Sequence, residues 1–175
     1  MQKTWQNTNS KMNEKIKSFF ICVSYIFILF AIDRVTKFQV LSILESQDKV
    51  DIYVNSFLNL YLVWNKGIGF GLFSFVDNTA YNLITLVILF INAIIVYLIF
   101  VEEGVKVYFL LTILGGSLGN FVDRLYYKAV PDFIDINYNG YHWFIFNVAD
   151  IFITLGIVCL ILAELLNYKS SNEKK

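Results

Sequence analysis

Asp33, Lys37, Asp123, Arg124 and Asp150 lie at or just inside the ends of long apolar stretches, and Asp132 and Asp135 follow in the connection between the last two of these. An Asp or Lys at mid-bilayer costs roughly 2.5–3.5 kcal/mol on insertion scales, so intramembrane ionisable groups point to function by default. Their types restrict the chemistry. With a single His, two Cys and no His-Glu-x-x-His, the chain offers no zinc protease site. Ser117, in Gly-Gly-Ser-Leu-Gly, superficially resembles an intramembrane serine nucleophile. Such a Ser needs a base, and because His142 falls in a connection, Lys37 is the only conceivable one. Two neighbouring carboxylates, by contrast, are a complete hydrolytic apparatus. Like charges a few ångströms apart share one proton. The ionised member takes a proton from water while the protonated member hydrogen-bonds the scissile carbonyl.

Each of these groups also has a plain structural reading. Asp33 and Lys37 are an i, i+4 pair that could be a helix-face salt bridge. Asn147 and Asp150 have the spacing of an N-cap and its acidic N3 partner. Asn120, Asp123 and Arg124 could form a self-satisfied polar network on one helix face. Cys22 and Cys159 fall mid-span and read as small apolar fillers, and Tyr and Trp near span ends read as interface anchors. Read from the residues alone, Asp123 is the catalytic candidate to pick first, because it sits beside Arg124.

The elements that must position these groups are membrane helices. Of 175 residues, 57% are apolar and only 16% charged, against 45–50% and about 25% in an ordinary soluble domain. Lys+Arg 14 offset Asp+Glu 14, which argues against a nucleic-acid partner. Crossing about 30 Å of hydrocarbon takes about 20 apolar residues. Stretches at about 17–38, 80–101, 105–122 and 148–167 qualify, giving one membrane domain over 1–175. Lys3, Lys11, Lys15 and Lys17 precede the first span, and Lys169, Lys174 and Lys175 follow the last. The positive-inside rule therefore puts both termini in the cytoplasm. The first span runs directly into Asp33-Arg34 with no small-x-small exit, so it reads as an uncleaved anchor. The outward segment of about 39–79 carries β-branched and aromatic runs, Val50–Asn55 and Phe57–Trp64, ending in the glycine-dense Asn65–Gly71. The expected fold is an all-α polytopic membrane protein of four transmembrane helices, with a small extracytoplasmic β-sheet between helices one and two.

On these motifs the chain resembles the lipoprotein signal peptidases (signal peptidase II), aspartyl proteases of bacterial membranes. Asp33-Arg-Val-Thr-Lys37 is similar to the family's D-x-x-x-K, and Asn65-Lys-Gly-Ile-Gly-Phe-Gly71 to N-x-G-x-A-F. Gly115–Arg124 resembles G-G-A-x-G-N-x-x-D-R, Val130–Phe133 resembles V-x-D-F, and Phe146–Asp150 resembles F-N-x-A-D. Gly69 and Ser117 stand where the family has Ala. The resemblance implies that Asp132 and Asp150 are the catalytic pair. It implies that Asp33, Lys37, Asn65, Gly67, Asn120, Asp123, Arg124 and Asn147 orient substrate or hold the site together, and so demotes Asp123. It also implies the substrate, a prolipoprotein cut just before a lipobox Cys carrying diacylglycerol, with no metal or other cofactor. Further implications are membrane lipids as partners, a monomer as sufficient unit, and an active site at the outer face of the bacterial cytoplasmic membrane.

Two other classes compete. A proton- or ion-coupled transporter, or an assembly subunit, could use the charged cluster as a relay, although internal repeats are absent and the polar groups share one depth. A structural membrane protein could use them only to pack helices.

Overall fold

The computed structural model describes residues 2–67, 78–138 and 141–172. Helix α1 spans Gln2–Gln47, strands β1 and β2 are Asp51–Asn55 and Leu58–Asn65, α2 is Asn78–Val101 and α3 is Val105–Tyr127. Strands β3 (Val130–Tyr138) and β4 (Tyr141–Phe146) follow, then α4, Val148–Asn172. The apolar parts of the four helices are 34, 23, 23 and 20 residues long. At 1.5 Å per residue even the shortest reaches about 30 Å, the thickness of the hydrocarbon layer. Large side chains such as Phe19, Phe20, Leu83, Phe90 and Leu165 are exposed on their outer faces, as lipid contact requires.

Helix α3 is the hub, packing against α1, α2 and α4, and it buries far more of itself than the others do. Glycines make this close approach possible. A Cβ on Gly116 would lie 2.5 Å from the Ala149 carbonyl oxygen of α4, and one on Gly119 would lie 2.6 Å from Asp33 Oδ2 of α1. Toward the other end, Ile95 of α2 and Leu110, Ile113 and Leu114 of α3 form an apolar core, joined by Ile26 of α1 and Ile153 of α4.

Helix α1 continues well past the end expected at residue 38. After Phe38, the apolar positions Val40, Leu41, Ile43 and Leu44 recur at helical spacing, and the helix ends at Asp48, which has φ 60°. This outer extension is the post on which the sheet rests. Val40, Ile43 and Leu44 pack with Val50, Leu60, Leu62, Phe133, Ile134 and Val148.

The sheet is antiparallel throughout, in the order β1-β2-β3-β4. The expected β1–β2 hairpin lies between α1 and α2, and the connection between α3 and α4 supplies two further strands. Pro131, which has no N–H to give, pairs with Trp64 on the β2 side, while β4 begins its pairing with β3 only at Ile134. The consequence is functional. Joining β3 to β2 places Asp132 opposite Val63, two residues from Asn65. It also sets Asp132 beside the N-terminus of α4.

Candidate active site

At the sheet side of the bundle, α1, α3 and α4 meet the strands at a cluster of buried polar side chains. Asp33, Asp123 and Asn147 are fully buried, and Lys37, Asp132, Arg124 and Asn65 nearly so.

Two layers are visible. The inner layer neutralises charge. Lys37 Nζ donates to Asp123 Oδ2 (2.6 Å) and Asn120 Oδ1 (2.8 Å) and forms an ion pair with Asp33 Oδ1 at 3.0 Å. Enclosed by these three acceptors, Lys37 is not placed as the base that a Ser117 nucleophile would need. Asp33 Oδ1 also accepts the backbone N–H of Ala149 at 3.1 Å, which ties α1 to the first turn of α4. Arg34, an unspecified position in the D-x-x-x-K stretch, bonds both Asp33 and Asp123.

The outer layer presents Asp132 and Asp150. Three asparagines hold them, and each has its amide orientation fixed by its second partner. Asn120 must turn its oxygen to Lys37, a donor only, so its Nδ2 donates to Asp150 Oδ1 at 2.7 Å. Asn65 accepts the Gly67 N–H at 2.8 Å and donates to Asp132 Oδ2 at 2.8 Å. Asn147 Oδ1 accepts the Asp150 N–H at 3.2 Å, and its Nδ2 donates to Asp132 Oδ1 at 2.6 Å. The Asn147 N–H in turn donates to Asp150 Oδ2 at 3.1 Å. The reciprocal Asn147–Asp150 pair is a capping box that starts α4. The plain reading of these two residues and the functional one therefore coexist. Every carboxylate oxygen of the pair receives a bond, so neither side chain is free to rotate away.

Their electrostatics differ from those of surface aspartates. Burial, and then the neighbouring charge of Asp150, pushes the Asp132 carboxyl from 3.8 up to about 7, against hydrogen bonds from Asn65 and Asn147 and the charge of Lys37. Asp132 thus favours the protonated form near neutrality. Asp150, at a helix N-terminus, sits at the positive end of the dipole.

Arg124 donates to the Gly67 carbonyl. Among the described residues its Nε and Nη1, which carry three N–H groups between them, are buried with no partner. Tyr81, read from sequence as an interface anchor, is instead buried. Its hydroxyl donates to the Arg124 carbonyl at 3.0 Å, and its ring lies 5.7 Å beneath the guanidinium. Its place at the start of an apolar span was the only available signal. Asp135 takes no part in this cluster. It pairs with His142 at 2.7 Å. Cys22 and Cys159 are free thiols within the spans. Gly69, Phe70 and Gly71 of the glycine-dense loop lie outside the described residues. Among the described residues, no three His, Cys, Asp or Glu side chains come together as a metal site would require.

The family described as Signal peptidase (SPase) II matches residues 25–166, a stretch that contains the whole polar cluster. The chain belongs to the signal peptidase II family. Among similar proteins, the lipoprotein signal peptidase of Pelagibacter ubique (strain HTCC1062) is 49% identical over 160 residues, covering 91% of this chain and 96% of the relative. That of Francisella tularensis subsp. novicida (strain U112) is 36% identical over 165 residues, covering 91% and 98%. A bacterial membrane enzyme solved by the in meso method at 2.3 Å superposes with TM-score 0.69 at 30% identity, over 89% of this chain and 93% of that one. Family membership makes the protein a protease, a multi-pass protein of the bacterial inner membrane. The transporter reading is not supported.

Proposed function

We propose that the protein removes signal peptides from prolipoproteins by aspartyl hydrolysis, cutting on the N-terminal side of a lipobox Cys whose sulfur carries diacylglycerol. The observation that carries this reading is the single residue Asn147 bound to both Asp132 and Asp150. The substrate follows from what the relatives are named for, together with the site's place at the junction of helices and sheet. There the signal helix and acyl chains stay in lipid while the scissile bond reaches water.

The chemistry runs as a proton exchange between the two carboxyls. Asp150, charged, takes a proton from water as the water oxygen bonds to the scissile carbonyl carbon. Asp132 gives its proton to the carbonyl oxygen, forming a neutral gem-diol. Asp150 then passes its proton to the leaving nitrogen while Asp132 takes one back from a diol hydroxyl, and the C–N bond breaks. The products are the signal-peptide carboxylic acid and a Cys with a free α-amino group, and both aspartates are reset. The free N–H groups of Arg124 are suited to substrate carbonyls, and Asn65 couples the Gly67 backbone to Asp132. Asp33, Lys37, Asp123, Asn120 and Asn147 orient the pair. No metal or organic cofactor enters these steps.

In this reading residues 1–175 act as one membrane domain. The sheet and active site face outward, both basic termini face the cytoplasm, and a monomer bathed in membrane lipid suffices. The test uses purified protein in detergent with a diacylglyceryl-modified prolipoprotein and its unmodified counterpart. Release of a signal peptide that leaves lipidated Cys at the new N-terminus, blocked by the family's cyclic lipopeptide inhibitor, is expected. Cleavage at another bond, or no cleavage of the lipidated form, overturns the reading. Reporter fusions at each terminus test the orientation.

A further inference from the structure

Resting on the dyad reading above, we infer that Arg34 is a positioning residue for hydrolysis, aiming Asp150 through Lys37 and Asn120. Its guanidinium forks onto Asp123, Nη1 to Oδ1 at 2.5 Å and Nη2 to Oδ2 at 2.8 Å. Nη2 also reaches Asp33 Oδ2 at 2.6 Å and the Gly119 carbonyl at 3.0 Å. The group lies 5.5 Å over the Phe30 ring. Its side chain is 25% exposed, whereas both carboxylates are completely enclosed.

Charge balance gives this contact its consequence. The groups facing Arg34 are Asp33 and Lys37 from α1 and Asp123 from α3, with Asp150 of α4 behind Asn120. Asp33 and Asp123 carry two negative charges, and Lys37 and Arg34 carry two positive ones. Removing Arg34 leaves a buried carboxylate uncompensated. Lys37 Nζ now divides itself between those two carboxylates and the neutral Asn120 oxygen. With one cation left for two anions, the ammonium is drawn toward the carboxylates and away from Asn120. Asn120 then loses the partner that fixes its amide, and its Nδ2 is the group that holds Asp150 Oδ1. A second route runs through Asp33, whose Oδ1 holds the N–H of Ala149, the residue before Asp150. A lysine at position 34 would restore the charge but not the planar fork.

The experiment compares Arg34→Met and Arg34→Lys with the unaltered enzyme on a diacylglyceryl prolipoprotein in detergent, reading kcat and KM across pH. For Arg34→Met, kcat should fall by about 10²-fold, the loss expected from a misplacement of about 1 Å, with KM little changed. Its alkaline limb should move to higher pH, because the unbalanced negative charge favours the proton on the pair. Arg34→Lys should return the limb to its original position while recovering only part of kcat. Normal kcat and an unmoved limb in Arg34→Met overturn the inference, as does a Lys variant whose limb stays displaced. If Arg34→Met does not fold, the Lys variant decides alone: a reduced kcat with an unmoved limb supports positioning, and a normal kcat overturns it. Asp150→Asn run alongside separates the two levels. Retained turnover there overturns the dyad and this inference together, whereas an inactive Asp150→Asn beside an unaffected Arg34→Met overturns this inference alone.

Discussion

Asp132 and Asp150 are held by opposite ends of one residue: the Asn147 side chain donates to Asp132 Oδ1 at 2.6 Å, and its backbone N–H donates to Asp150 Oδ2 at 3.1 Å. One carboxylate comes from a strand and the other from a helix, and nothing in the chain's order requires them to face each other. Asn147 is the single residue between the end of β4, which pairs with the strand that carries Asp132, and the start of α4. Capping the helix and setting the geometry of the pair are therefore a single act.

Replacing Asn147 separates these roles. Ser can cap α4 but is too short to reach Asp132, whereas Ala does neither. Asn147→Ala should lower stability by about 1 kcal/mol from the lost cap and kcat by about 10²-fold from the loosened pair. Asn147→Ser should recover much of the stability and little of the rate. Thermal unfolding in detergent beside turnover measures both. Equal recovery of the two would show that capping alone explains the residue.

The pH profile follows from Asp132. In the proposed mechanism its carboxyl, raised to about 7 by burial and by the charge of Asp150, must be protonated to bond the scissile carbonyl. Turnover should therefore fall as pH rises through about 7, as a titration of the pair rather than of one residue. Stability moves in the same sense. The native state holds this proton to higher pH than the unfolded chain, so its contribution is complete below 3.8 and is lost as pH rises toward about 7. Asp132→Asn should flatten that part of the stability curve, and unfolding measured from pH 4 to 8 checks it.

Two glycines make opposite predictions. At Gly119 a Cβ would meet Asp33 Oδ2 at 2.6 Å and Ala149 Cβ at 3.4 Å. Gly119→Ala should thus cost about 1–3 kcal/mol, typical of overpacking, and should also depress turnover by displacing Asp33. At Gly104, φ is 70° and a Cβ would meet nothing within 4 Å. With ψ at −143° this is a conformation open almost only to glycine, so Gly104→Ala should cost about 1–3 kcal/mol from backbone strain and leave the kinetic constants unchanged.

Tyr81→Phe keeps the ring beneath Arg124 and deletes only the hydroxyl bonded to the Arg124 carbonyl. A lost hydrogen bond of about 0.5–1.5 kcal/mol corresponds to a fall of about 2- to 10-fold in kcat/KM. Steady-state kinetics checks this, and an unchanged constant would remove Tyr81 from the support of Arg124.

The spans were legible because an uninterrupted apolar run has no other stable use in a chain of this composition. The β1–β2 hairpin was legible from its β-branched and aromatic residues. The second hairpin was not, because Pro131, Asp132 and Asp135 interrupt the alternation that marks a strand. Their polarity makes sense only once β2 and α4 supply partners. The outer extension of α1 was hidden by Ser42, Glu45 and Ser46, which lower its hydropathy while leaving the helical spacing of Val40, Ile43 and Leu44 intact. The polar residues of the cluster were found by type and motif, but their bonding directions were not. Arg34 was overlooked because it is an unspecified position of the D-x-x-x-K stretch, and the carboxylate of Asp123 that it meets lies 89 residues away in the chain.

The most direct test of the account is single-turnover cleavage of a diacylglyceryl prolipoprotein by Asp132→Asn and by Asp150→Asn, each first confirmed as folded by its unfolding transition. Each Asn keeps the shape of the side chain and removes its capacity to exchange a proton. Both variants should remain folded, bind substrate and release no signal peptide. Near-normal release by either one would contradict a shared-proton pair.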